Sequence, residues 1–174
     1  MDTTISPLGV LRYRTAITDV AALLFVGLVP AVSHLFNFPV YYIEPMRIML
    51  VLALLFSSRW NAFALAIALP LFSFLISGHP FPLKMIIIMA ELLLNAWLFL
   101  LFYRNSKMPF LSTFGSIVLS KMFCYIMYLA VFSMAFVKDE AESAFLIAQV
   151  VLSVLLSGIV WFIVNRRNKN EAID

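Results

Sequence analysis

Glu91 and Lys121 are the residues best placed to do chemistry, a carboxylate and an ammonium each set inside an apolar run long enough to cross a lipid bilayer. Hydrocarbon cannot solvate either group, so each must face an opposite charge, a water-filled cavity or a ligand. Their neighbours in sequence extend the polar pattern. Lys84, Glu91 and Asn95 are spaced seven and four residues apart, which puts them along one helical face. Ser116, Ser120, Cys124 and Tyr128 follow at four-residue steps with Lys121 and Tyr125 alongside, and Gln149, Ser153 and Ser157 form a further stripe. Charged and amide groups of this kind bind and orient a small polar molecule. Catalysis is a poorer match, because paired catalytic carboxylates, a GxSxG nucleophile and a zinc-binding helix are all missing from the sequence.

The elements that carry these residues follow from composition. Of 174 residues, 64% are hydrophobic and 12% charged, and the mean hydropathy is +1.02, against about 25% charged residues in soluble domains. The chain therefore reads as an all-α integral membrane protein, one bundle with no separate soluble domain. Six spans are expected: Ala16 to Phe36, Tyr41 to Ser57, Trp60 to Ser77, Leu83 to Tyr103, Pro109 to Phe136 and Ser143 to Val164. The apolar part of the second is only Arg47 to Ser57, and it reaches spanning length if Tyr41 to Met46 continues it, with Pro45 in its first turn. Pro30 and Pro70 are expected to kink the first and third spans. Strand-like alternation is missing, which disfavours a barrel.

An even number of spans puts both termini on one side. That side holds Arg12, Arg14, Arg59, Arg104, Lys107, Arg166, Arg167 and Lys169, while Arg47, Lys84 and Lys138 lie opposite, so the positive-inside rule predicts cytoplasmic termini in a plasma-membrane protein. The same topology accounts for the basic balance without nucleic acid, since the cations are distributed among short loops. The outer loops are then Asn37 to Pro45, Gly78 to Pro82 and Val137 to Glu142, each a possible lid. A single cysteine excludes an internal disulfide, and His34 and His79 lack metal-ligand spacing, so neither a metal nor a cofactor is expected. Asp19 reads as a cap of the first span or a partner of Arg12 or Arg14.

Depth brings the polar seams together. At 1.5 Å per residue, Glu91 lies roughly 12 Å below the outer start of its span, Lys121 about 12 Å below the outer surface and Gln149 roughly 9 Å below the outer end of the sixth span. Three helices thus bring polar groups to one level, either as a pocket open to the outside or as an ion pair that ties helices together. Arg47 with Glu44, and His79 with Lys84, are placed nearer the mouth, where Arg47 either anchors at the interface or holds an anionic group of a ligand. Ala62, Ala64, Ala66 and Ala68, Thr18 with Ala22, and Gly27 with Ala31 form small-residue faces for close helix packing.

Several stretches resemble the substrate-binding S component of energy-coupling factor (ECF) vitamin transporters: Tyr42-Ile43-Glu44-Pro45-Met46-Arg47, Leu69-Pro70, Gly78-His79-Pro80-Phe81-Pro82-Leu83-Lys84 and Ala90-Glu91-Leu92. The resemblance extends to length and span number over nearly the whole chain. It implies a pocket in the outer half covered by the first and third outer loops, with most ligand contacts from spans four to six. It also implies a transmembrane coupling subunit that meets spans one to three, two cytoplasmic ATPases, and toppling of the bundle to deliver the ligand. The family's Ala-xxx-Ala pair in span one has only Thr18 with Ala22 as its nearest match here. A phosphate loop is lacking, so energy must come from those partners.

The expectation is therefore a membrane subunit that binds a small, water-soluble, anionic or zwitterionic nutrient through Arg47, Lys84, Glu91, Asn95, Lys121, Tyr125, Tyr128 and Gln149. A structural scaffold of the MreD type is the competing class, and an intramembrane enzyme ranks last.

Overall fold

The computed structural model describes residues 7–36, 43–78, 82–132 and 142–171. They form six α-helices, with no strand among the described residues: α1 Pro7–Phe36, α2 Pro45–Phe56, α3 Arg59–Ser77, α4 Pro82–Ser106, α5 Pro109–Phe132 and α6 Glu142–Glu171. All except α2 contain a stretch long and apolar enough to cross a membrane. The fold is that of a multi-pass helical membrane protein. The three outer loops expected as lids fall largely on residues 37–42, 79–81 and 133–141, outside the described residues.

Two tight turns define one end of the bundle. Ser57 and Ser58 link α2 to α3, and Lys107 and Met108 link α4 to α5. At the first turn, Ser58 caps α3 by accepting a hydrogen bond from the Asn61 amide at 3.2 Å. At the second, Lys107 takes the left-handed conformation (φ 53°) and its amide bonds back to the Tyr103 carbonyl at 3.1 Å, which reverses the chain in two residues. Links this short force antiparallel neighbours, and α4 with α5 makes the most extensive pairing of the bundle. At the far end, α3 stops at Gly78, whose φ of 65° suits a residue without a Cβ.

The second helix departs from expectation. Glu44 is left-handed (φ 49°) and Pro45 opens the helix, so Ile43 and Glu44 do not extend α2, while Tyr41 and Tyr42 lie outside the described residues; its 12 residues span only about 18 Å. It falls about 12 Å short of a 30 Å hydrocarbon core. Because its C-terminal end is tied to α3 at the hairpin end, the whole deficit appears at its N-terminus, which sits deep inside the bundle. Along its length α2 packs against α1, α3, α4 and α6.

The apolar core forms where α1 to α4 meet, around Ala22, Leu50, Ala53, Ala62, Ala66, Leu69 and Ala96, each fully buried. Alanine at these positions lets helix backbones approach closely, where dispersion and lipid release take over from the hydrophobic effect. Gly27 marks another close approach, since a Cβ there would lie 3.3 Å from the Phe72 ring of α3. Pro30 and Pro70 are accommodated without ending α1 or α3. Ala22 points into this core, so the Thr18 and Ala22 pair is not an external docking face; the outward side of α1 is instead Ile17, Val20, Leu24 and Leu28.

The hairpin end has its own polar contacts. Asp19 accepts a hydrogen bond from Asn61 Nδ2 of α3 at 2.5 Å, and Ser57 donates to the Thr15 hydroxyl at 3.1 Å. Since α1 begins at Pro7, Asp19 lies in the helix interior and clamps α1 to α3 rather than capping its own helix.

A buried ring of charges as the candidate functional site

Glu44, Arg47, Glu91 and Lys121 converge from the N-terminal end of α2, the middle of α4 and the C-terminal half of α5. Arg47 Nη2 donates to Glu91 Oε1, and Nη1 lies 2.8 Å from Glu44 Oε2 as an ion pair without hydrogen-bond alignment. Lys121 Nζ contacts the other Glu44 oxygen, Oε1, and lies 3.8 Å from Glu91 Oε1. Each carboxylate meets both cations, and the ring closes with no net charge.

This closure explains how four ionised groups persist at membrane depth. An isolated charge would cost several kcal/mol, whereas alternating neighbours offset much of that penalty. Arg47 lies ten residues before the Ser57 turn, about 15 Å along α2, and from there its guanidinium reaches Glu91. The expected pair of Glu91 with Lys121 is therefore part of a larger set in which Arg47 is the nearer partner of Glu91.

The ring has a deep side and an open side. Side-chain exposure is 3% for Arg47 and 9% for Glu91, against 15% for Glu44 and 25% for Lys121. Next to the ring, the half-buried Cys124 thiol sits against Glu91. Asn95, one turn further along α4, is fully buried.

Not every donor is matched. Arg47 Nε and Asn95 Nδ2 are buried without a hydrogen-bond partner among the described residues. A buried donor left unpaired costs about 1–3 kcal/mol. A set of residues serving only to tie helices together would gain by pairing them, whereas a binding site leaves donors for its ligand.

The serine stripes behave differently. Ser116 and Ser120 of α5 donate to the carbonyls of Thr113 and Ile117 at 2.9 and 3.0 Å, and Ser153 and Ser157 of α6 donate one turn back at 2.7 Å. Their hydroxyls are spent on their own helices, which leaves compact, close-packing surfaces.

Of the residues expected to bind substrate, Arg47, Glu91 and Lys121 meet in the ring and Asn95 lies beside them. Gln149 is buried on α6, but its side chain makes no hydrogen bond to the ring. Lys84 stands exposed in the first turn of α4 and Tyr125 is half exposed on α5. Neither makes an ion pair with the ring among the described residues. The Tyr128 side chain is outside the described residues. Glu44 is the member that the sequence reading placed at the mouth; its i,i+3 spacing to Arg47 across Pro45 was the available signal. His34 is exposed on α1, and His79 lies outside the described residues. A shallow recess of about 270 Å³ between α4 and α5, lined by Phe102, Asn105, Ser106, Leu111 and Gly115, belongs to the hairpin end, away from the charges.

Compared with known proteins, the chain matches no family model, no curated protein and no solved structure. The geometry itself defines the class: a multi-pass helical membrane protein with a buried, charge-neutral ring.

Proposed function

We propose that this chain is the substrate-binding membrane subunit of an uptake system for a small, water-soluble nutrient, energised by a separate coupling subunit and two cytoplasmic ATPases. The observation that supports this reading is the pair of unmatched buried donors, Arg47 Nε and Asn95 Nδ2, beside a ring whose Glu44–Lys121 edge is its more accessible side. A ligand acceptor would satisfy them and remove the desolvation cost. In this reading α2 is the sixth membrane element, both termini are cytoplasmic and the ring is reached from outside. The resemblance of the Glu44-Pro45-Met46-Arg47 and Ala90-Glu91-Leu92 segments to ECF S components agrees with this, because those segments supply three of the four ring residues. Coupling through α1 would use Ile17, Val20 and Leu24 rather than Thr18 and Ala22.

The test is mass spectrometry of small molecules carried through mild detergent purification, followed by thermal-shift titration of whatever is found. A bound nutrient that stabilises the wild type, and does so at least about tenfold more weakly with Glu91→Gln or Lys121→Met, is the expected result. Absence of any stabilising compound, with uptake unaltered in both variants, sinks the proposal.

The closed charge balance of the ring favours a second reading, a scaffold of the MreD type whose ring only holds helices together. Affinity capture from membranes separates the two: ATPases among the captured proteins support uptake, and cell-wall synthesis proteins support the scaffold.

A further inference from the structure

Glu44 and Glu91 hold the same two cations but are mounted differently. Glu91 belongs to the middle of α4, with helix on both sides and little exposure. Glu44 lies outside the helices as the residue before α2, in a left-handed conformation that a side chain with a Cβ disfavours. Its carbonyl accepts from the Arg47 and Ile48 amides, and its side chain makes no capping bond. Its carboxylate instead bridges the cations, one oxygen toward Arg47 and the other toward Lys121.

That bridge is an imperfect fit. Arg47 Nη1 faces Glu44 without hydrogen-bond alignment, whereas a free carboxylate, not tethered to a left-handed backbone, can turn one oxygen into line with an Nη1 hydrogen while the other meets Lys121. Charge gives the same preference. With Glu44 withdrawn, Arg47 and Lys121 face Glu91 alone, and the site carries one net positive charge that a monoanion neutralises.

On these grounds we infer that Glu44 is a built-in surrogate for the carboxylate of a ligand, and that ligands enter the ring by exchange: an incoming carboxylate takes the place between Arg47 and Lys121 while Glu44 swings out of the ring. Glu91 stays in place and keeps Arg47 oriented. The ring is neutral before and after the exchange, so no uncompensated charge is left in the membrane in either state. The inference rests on the ring being the ligand site and names its ligand class, a monocarboxylate group that need be only one end of a larger molecule.

The test uses the full chain in detergent, with acetate as the probe and acetamide as its uncharged counterpart at equal ionic strength. Wild type, Glu44→Ala and Glu44→Gln are followed by thermal unfolding and by saturation-transfer NMR of the acetate methyl. Both variants are expected to bind acetate at least about tenfold more tightly than wild type, and Glu44→Ala to regain part of its lost melting temperature saturably in acetate and not in acetamide. If Glu44→Ala unfolds on extraction in acetamide, recovery of folded protein by extraction in acetate supports the exchange, and failure in both counts against it. Equal acetate affinity in wild type and in folded variants overturns it. Acetate binding by the variants with no nutrient co-purifying upholds the exchange and removes the uptake reading. A co-purified carboxylate nutrient whose affinity is unchanged by Glu44→Gln removes the exchange and leaves the uptake reading intact.

Discussion

The bundle contains two polar clusters on opposite sides of its alanine-rich core, and they are built on different principles. At the hairpin end, Asp19 with Asn61 and Ser57 with Thr15 make single, part-buried hydrogen bonds that tie α1 to its neighbours. Toward the far end, four full charges are gathered from three elements, deeper in the protein, and two donors still lack acceptors. The first cluster fastens helices with one carboxylate and neutral groups. The second concentrates four charges and leaves two buried donors without acceptors among the described residues.

The largest effect should come from removing the residue on which the ring turns. Arg47→Met leaves Glu44 and Glu91 sharing Lys121 alone, and should cost about 3–5 kcal/mol, read as a fall in the detergent unfolding midpoint together with loss of ligand retention. A stable Arg47→Met protein that still retained ligand would erase the distinction between the clusters. Breaking the other cluster should be milder. Asn61→Ala removes the donor to Asp19 and should cost about 1–2 kcal/mol of stability while ligand affinity stays at the wild-type value, measured by the same two assays. A drop in affinity as large as that from Arg47→Met would show that the two ends act as one unit. The smallest effects belong to residues outside both clusters: Lys84→Gln and Tyr125→Phe, each on an exposed side chain, should move stability by no more than about 0.5 kcal/mol and leave ligand titrations superimposable on wild type.

Helix number, an all-helical bundle and the seams of α4 to α6 were legible in the sequence, because apolar run length and four-residue spacing report them directly. The contact between Glu91 and Lys121 was also accessible, since depth can be counted along helices of spanning length. What periodicity could not report was where α2 begins. That depends on the backbone of Glu44, left-handed just before Pro45, and it sets the Glu44 carboxylate beside Arg47 and Lys121. Lys84 shares the spacing of Glu91 and Asn95 but stands exposed in the first turn of its helix; spacing describes a face and says nothing of how deeply each position along it is buried. The serine stripes were equally visible, yet their hydroxyls are taken up by their own backbones, a local choice that side-chain type alone does not reveal. The apolar span from Ala16 was legible, yet α1 continues back to Pro7, so the cap reading of Asp19 does not hold, and its bond to Asn61 comes from packing against α3.

The 12-residue length of α2 sets the site as a ruler sets a mark. Inserting one further helical turn after Arg47 would lift Glu44 and Arg47 by about 6 Å, past the reach of Glu91, without altering the chemistry of any side chain in the ring. The position of the charges along the membrane normal is thus stored as a count of residues, so insertions and deletions in this helix bear on ligand access more than most substitutions in it.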